Sequence, residues 1–376
     1  MTINDFDDIR PCGEGEMKAA FDSMLADRQF DKILKGMIPL PKGLRNWLLR
    51  KLFIGIKTPF DFQLRYMKPV VKYVLRKCTT GYSYVFPESL DKMGSYTFMS
   101  NHRDIVLDSA ILDLMLVYSK FRTTVEIAIG DNLLIYPWIK TLVRMNKAFT
   151  VNRGLTPKEM LRSSIHMSQY MHFAINEKHE NIWIAQREGR AKDSDDRTQE
   201  SVLKMLNMGG PTPGKTTAEI IENIKHINIV PLAISYEHAP GAYLKAKEFQ
   251  CKRDVQGWKK SKQDDLDNMK IGIWGMKGHV HYEAADCINE WLDTLDAESI
   301  AKTDIFRIIA EHIDHEIHRC YKIYDINRDA VAGKKNDYIE SRVKMVDVEN
   351  PDVDFLRAKI TEMYANPLIN HEKAVE

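Results

Sequence analysis

Cysteine is scarce in this chain of 376 residues. The five present, Cys12, Cys78, Cys251, Cys287 and Cys320, are scattered, odd in number and without metal-type spacing. That pattern fits reduced thiols in a cytosolic compartment rather than a disulfide framework. Net charge is nearly absent too: 54 Lys and Arg against 53 Asp and Glu leave +1. So even a balance argues against general nucleic-acid binding. No uncharged apolar run approaches the roughly 20 residues of a membrane-spanning helix. The start, Met1-Thr2-Ile3-Asn4-Asp5, is acidic and lacks the basic and apolar regions of a signal peptide. The expectation is a protein neither secreted nor integral to a membrane. Repeats and low-complexity blocks are missing. A hydrophobic fraction of 44% is nevertheless ample for a buried core.

Three motifs are present only in part. His102-Arg103-Asp104 has the first letters of the protein-kinase catalytic loop, but Ser109 stands where that loop needs Asn, and no Asp-Phe-Gly follows. Gly209 to Thr216 satisfies the phosphate-loop spacing G-x-x-x-x-G-K-[ST]. That loop needs a strand before it and free backbone N–H groups within it. Here Ser201 to Leu206 looks helical, and Pro211 and Pro213 remove two donors. The segment reads as a helix–turn–helix connection. His312, His315, Glu316 and His318 lie on a helix expected over 304–324, without a His-Glu-x-x-His arrangement. Asp314 and Arg319 mark that face as solvated, and no metal is expected.

The stretch Thr97 to Ser109 organises the rest. An apolar run from Tyr96 to Met99 stops at Asn101-His102-Arg103-Asp104, and a helical pattern with Ile111, Leu112, Met115 and Leu116 follows. A strand that hands over to a helix in this way marks where α/β sheets bind ligands. His102 has two carboxylates close behind it, Asp104 and Asp108. A neutral imidazole takes a proton near pH 7, and a carboxylate fixes its tautomer. A loop hydrogen bond or a helix cap would use the same residue types.

Further strands are expected at 125–129, 148–151, 181–185, 227–235 and 278–282, with helices between them. The strand at 148–151 ends at Asn152-Arg153-Gly154, and that at 181–185 at Arg187-Glu188-Gly189-Arg190. Pro231 predicts an edge strand, a bulge or a strand end. This alternation predicts an α/β fold: one domain over 94–285 with a mostly parallel central sheet flanked by helices. Helical extensions are expected at both ends, over 1–93 and 286–376.

Residues 42–77 stand apart in charge. Ten cations, from Lys42 to Lys77, face only Asp61, a local +9. Leu44, Trp47, Leu48 and Leu52 fall on one helical face. A basic amphipathic helix of this kind docks on an anionic membrane surface. A surface helix packed on the core, or RNA binding through interleaved aromatics, fits the same stretch.

The four segments around Asn101-His102, Asn152-Arg153, Glu188-Gly189-Arg190 and Ile229-Val230-Pro231-Leu232 resemble, in order, the four motifs of the glycerophospholipid acyltransferases. That family includes lysophosphatidic acid and glycerol-3-phosphate acyltransferases, and the resemblance covers roughly residues 96–236. The family spaces His and Asp by four residues; here five lie between His102 and Asp108, and Asp104 stands closer. The third loop lacks the Thr or second Gly common before its Arg. The resemblance implies acyl transfer from acyl-CoA or acyl carrier protein, as co-substrate, to the hydroxyl of a glycerol-phosphate or lysolipid-like acceptor, in phospholipid biosynthesis. His102 is then the general base, with Asp108 favoured as its partner. Arg153, Glu188, Gly189 and Arg190 bind the acceptor, and His102, Arg153 and Arg190 are expected to line one cleft. No cofactor, metal or nucleic acid is called for. The expected location is cytoplasmic, peripheral on the inner face of the cell membrane. The rivals are a membrane- or nucleic-acid-binding module without turnover and a phosphate-loop nucleotide hydrolase.

Overall fold

A computed structural model describes residues 1–376, the side chain of Lys262 excepted. Its strands are β1 (Gly81–Val85), β2 (Thr97–Ser100), β3 (Val125–Gly130), β4 (Ala148–Val151), β5 (Asn181–Ala185), β6 (Ile229–Tyr236) and β7 (His279–Ala284). They form one seven-stranded sheet in the order β1-β7-β6-β2-β5-β3-β4. Strands β6, β2, β5, β3 and β4 run parallel to one another. β7 is antiparallel to β6, and β1 is parallel to β7. The fold is therefore α/β with a mostly parallel central sheet, as the alternation of segments predicts.

Helices cover both faces, so the central strands are apolar on both sides. On one face Met99, Ile182, Ile184 and Ile229 pack in a core shared with helices Pro157–Asn176, Glu200–Asn207, Thr217–Lys225 and Ile305–Arg319. On the other, Phe98, Trp183, Leu232 and Tyr282 pack with helices Lys68–Cys78 and Leu107–Tyr118. The chain leaves β2 toward β3 on one side, and later crosses from β5 to β6 on the other. β2 thus stands at the reversal of strand order, where a crevice opens at the carboxyl ends of the strands.

The sheet departs from expectation in two places. β1 lies within the region assigned to the N-terminal extension, so the sheet begins before residue 94. β6 is interior, flanked by β2 and β7, despite Pro231. The β7 ladder begins at Leu232, so the N–H that Pro231 lacks is not needed there, while its carbonyl accepts from Ala285 N at 2.9 Å. The helix Val353–Val375, part of the expected C-terminal helical extension, runs on through Pro367. Gly209 to Thr216 joins two helices. The Thr216 hydroxyl caps the second of them, and a Cβ on Gly210 would come within 2.2 Å of Asn223. The glycine is there for packing.

Candidate functional site

The residue after β2 is fixed as firmly as the strand itself. Asn101 is fully buried, donates from Nδ2 to Ile234 O (2.9 Å) and accepts at Oδ1 from Ile234 N (2.8 Å). Its amide stands in for a further rung between β2 and β6. His102 follows, its side chain 14% exposed and its ring edge-on to Trp183 at 5.4 Å.

His102 Nδ1 lies 2.8 Å from Asp108 Oδ2. The same oxygen accepts from Arg103 N (2.7 Å) and Asp104 N (3.0 Å), and Tyr236 OH donates to Oδ1 (3.1 Å). An acceptor of two amide protons brings no proton of its own, so Nδ1 carries the hydrogen and Nε2 the lone pair. Among the described residues Nε2 forms no hydrogen bond. Asp108 is completely buried in the first turn of Leu107–Tyr118, and Tyr282 OH donates to its carbonyl at 3.0 Å.

Asp104 is turned to another task. Its Oδ1 accepts from Val106 N (2.9 Å) and Leu107 N (2.8 Å), satisfying donors at the start of the helix. Burial, then the nearby Asp108 charge, push its carboxyl above the usual range. The fifth residue between His102 and Asp108 is taken up in this turn, so the wider spacing still closes the hydrogen bond.

Arg103 and Asp104, the next residues along the chain, reach a cleft of about 50 Å³. Arg103, Asp104, Arg190, Tyr236, Lys245 and Lys322 line it, and Tyr324 and Tyr364 add walls from the C-terminal region. Four of these side chains are basic: Arg103, Arg190, Lys245 and Lys322. Arg103 pairs with buried Asp196 (3.0 Å), and Arg190 reaches Asn268 (3.4 Å). Lys245 is buried and donates to Ala191 O (3.2 Å); burial first, then Arg190 and Arg103, bring its pKa down to about 7.

The expected convergence of His102, Arg153 and Arg190 on one cleft is not observed: Arg190 lines this cleft, while His102 and Arg153 do not. Arg153 follows the edge strand β4, three strand spacings from β2, or about 14 Å. There its guanidinium pairs with Glu188, and its backbone N–H donates to Asp131 Oδ1 (3.1 Å). Glu188 and Gly189 are exposed, with Gly189 at φ 72° where a side chain would be strained. Glu188 thus orients Arg153. Tyr236, Lys245 and Lys322 escaped the sequence reading because each stands singly, with no motif spacing around it.

The histidines on Ile305–Arg319 diverge. His312 stacks on Trp291, His318 meets the Asp196 carbonyl at 3.0 Å, and His315 meets Glu316. Among the described residues no cluster of His, Cys, Asp and Glu is placed to hold a metal.

No family model and no curated protein matches the sequence. Among solved structures, the crystal structure of the 1-acyl-sn-glycerophosphate (LPA) acyltransferase PlsC from Thermotoga maritima is similar at a TM-score of 0.37 and 11% identity, over 72% of this chain and 86% of that chain.

Proposed function

We propose that the protein is an O-acyltransferase, moving an acyl group from a thioester to the hydroxyl of a lipid-like acceptor with an anionic head group. The observation that carries this reading is the His102–Asp108 bond at 2.8 Å, anchored by a fully buried carboxylate. His102 Nε2 takes the hydroxyl proton as the oxygen attacks the thioester carbonyl. Asp108 stabilises the imidazolium. When the C–S bond breaks, the imidazolium returns that proton to the departing thiolate, leaving an ester and a thiol. Acyl-CoA or acyl carrier protein serves as donor, and no resident cofactor is required.

The cationic cleft supports an anionic head group, held by Arg190 in fork geometry with Arg103, Lys245 and Lys322 around it. A glycerol phosphate or a lysolipid meets that description. Arg153 and Glu188 then order the neighbouring loops rather than grip the same group.

Membrane docking through residues 42–77 completes the reading, at the inner face of the cell membrane. Helix Lys42–Phe53 buries Arg45, Leu49 and Phe53 and leaves Leu44, Trp47, Leu48 and Leu52 exposed, Trp47 at 56%. Large apolar side chains in water beside Arg50 and Lys51 fit insertion at a lipid surface. No described helix is long and apolar enough to cross a membrane.

The test is purified protein with an acyl thioester and a panel of lipid alcohols, followed by mass spectrometry. An ester should form with anionic acceptors, and His102→Ala should slow its formation by roughly 10²–10⁴-fold. No ester with any acceptor, or undiminished ester from His102→Ala, would rule the reading out.

A further inference from the structure

A second apolar surface lies beyond helix Lys42–Phe53, where the end of the basic stretch meets a segment near residue 274. Helix Lys68–Cys78 buries Val71, Val74, Leu75 and Cys78, and its opposite side exposes Val70 and Tyr73. Trp274 and Met276 are also exposed, Trp274 at 53%. Trp274 meets Tyr73 edge-on at 6.4 Å. Two bonds to Cys78 hold the segments together: its Sγ–H donates to Trp274 O (3.4 Å), and Lys277 N donates to its carbonyl (2.8 Å). Val70, Tyr73, Trp274 and Met276 thus stand on adjoining elements.

The charge around Val70 and Tyr73 is of one sign. Helix Lys68–Cys78 carries Lys68, Lys72, Arg76 and Lys77 and no carboxylate. Arg76 and Lys77 both lie over the Tyr73 ring, at 5.9 and 5.7 Å. The helix Lys262–Trp274 is graded: Asp264, Asp265 and Asp267 stand in its first half, and Lys270, Ile273 and Trp274 toward its end. Trp and Tyr among cations is the composition found at the headgroup level of bilayers. An acidic protein would use the cations but has no claim on Trp274 and Met276.

This same helix forms part of the cleft wall. Asn268 and Gly272 line the cleft, and a Cβ on Gly272 would lie 2.2 Å from Asp104 Oδ2. We propose that Val70, Tyr73, Trp274 and Met276 form a second docking point on an anionic bilayer, and that docking there brings the wall of the cleft to the lipid surface. The proposal rests on the membrane-associated acyltransferase reading, and it adds a contact from the segment near 274 that works with the helix at 42–53.

The experiment uses the full chain with vesicles of phosphatidylglycerol and phosphatidylcholine, in the absence of acyl donor. Trp274→Ser with Met276→Ser should lower the partition coefficient roughly tenfold. Lys72→Glu with Arg76→Glu should lower it at low salt and much less at high salt. All four side chains are at the surface or beside it, and an unchanged thermal midpoint shows that the fold is kept; Val70→Ser is the substitute if one variant misfolds. Undiminished vesicle binding by the Trp274/Met276 variant overturns the proposal, whatever the Lys72/Arg76 variant does. So does a parent that ignores vesicles, or a loss seen only for soluble polyglutamate, which would mark a protein-docking face. Because no turnover is measured, failure here is separate from failure of the acyltransferase reading.

Discussion

Asp108 takes hydrogen bonds from His102, Arg103 N, Asp104 N and Tyr236, so its charge is compensated although it is fully buried. A carboxylate held in this way fixes the imidazole before any substrate arrives. With His102 as general base, His102→Ala should lower the acyl-transfer rate by roughly 10²–10⁴-fold with little change in acceptor affinity, since the imidazole acts on a proton moving in the transition state. Asp108→Asn should also slow the rate, and the double variant should lose far less than the product of the single losses. Asp104→Asn keeps an acceptor for Val106 N and Leu107 N and should be the mildest of the three. Steady-state kinetics decide this, and a rate lost only in Asp104→Asn would mean that the pairing has been misjudged. Lys245 gives a pH test. Its pKa lies near 7, well below the ordinary lysine value of about 10.4. Between these values the unfolded chain binds a proton that the folded chain does not, so stability should rise with pH across that window. The cleft holds this cation only below about pH 7. Affinity for sulfate, whose own charge is constant there, should therefore fall as pH rises through 7. Titration calorimetry with Lys245→Met should show that step removed; the same step in the variant would assign it to another group.

Much of the element order is legible because the pattern is strong. The helix at Pro157–Asn176 announces itself with Pro at its start, and β5, Asn-Ile-Trp-Ile-Ala, could hardly be anything else. β1 is different: Gly-Tyr-Ser-Tyr-Val is short and half-exposed at the sheet edge, held by pairing with β7 nearly two hundred residues later. Such a pairing leaves no mark in local composition. The site divides the same way. The His102–Asp108 pair shows in sequence because both lie on one strand–loop–helix turn, whereas the cleft draws Lys245 and Lys322 from distant segments. The apolar stripe of helix Lys42–Phe53 is legible in the sequence, yet which face packs is not. The core takes Leu49 and Phe53, with Arg45 buried against Asp31, and leaves out the larger apolar stripe. This arrangement separates docking from folding. Trp47→Ser with Leu48→Ser should weaken binding to anionic vesicles several-fold at an unchanged thermal midpoint. Leu49→Ala should instead cost roughly 2–5 kcal/mol of stability, the usual range for a buried leucine. Co-sedimentation and thermal denaturation measure the two effects. A large drop in midpoint for the Trp47/Leu48 variant would return that face to the core.

At the scale of the molecule, the proposed division into 1–93, 94–285 and 286–376 describes where the motifs lie better than where the core ends. Ile305, Ile309, Ile313 and Ile317 recur every four residues on one side of Ile305–Arg319, and all are fully buried in the core beneath β2, β5 and β6. Burying each is worth about 1.5–3 kcal/mol, so the four together rival the roughly 5–15 kcal/mol by which a whole protein is stable. β1 adds to the sheet from the other end of the chain and covers the edge of β7. Removing it would expose unpaired backbone groups on β7, an invitation to association. The cleft would lose Lys322, Tyr324 and Tyr364 as well. A fragment spanning 94–285 keeps every motif residue and should still fail to fold. Its expected behaviour is aggregation, or a broad thermal transition with weak near-ultraviolet circular dichroism, where the full chain melts cooperatively. A soluble fragment with a sharp transition would show that the helix at Ile305–Arg319 packs on a domain already complete without it.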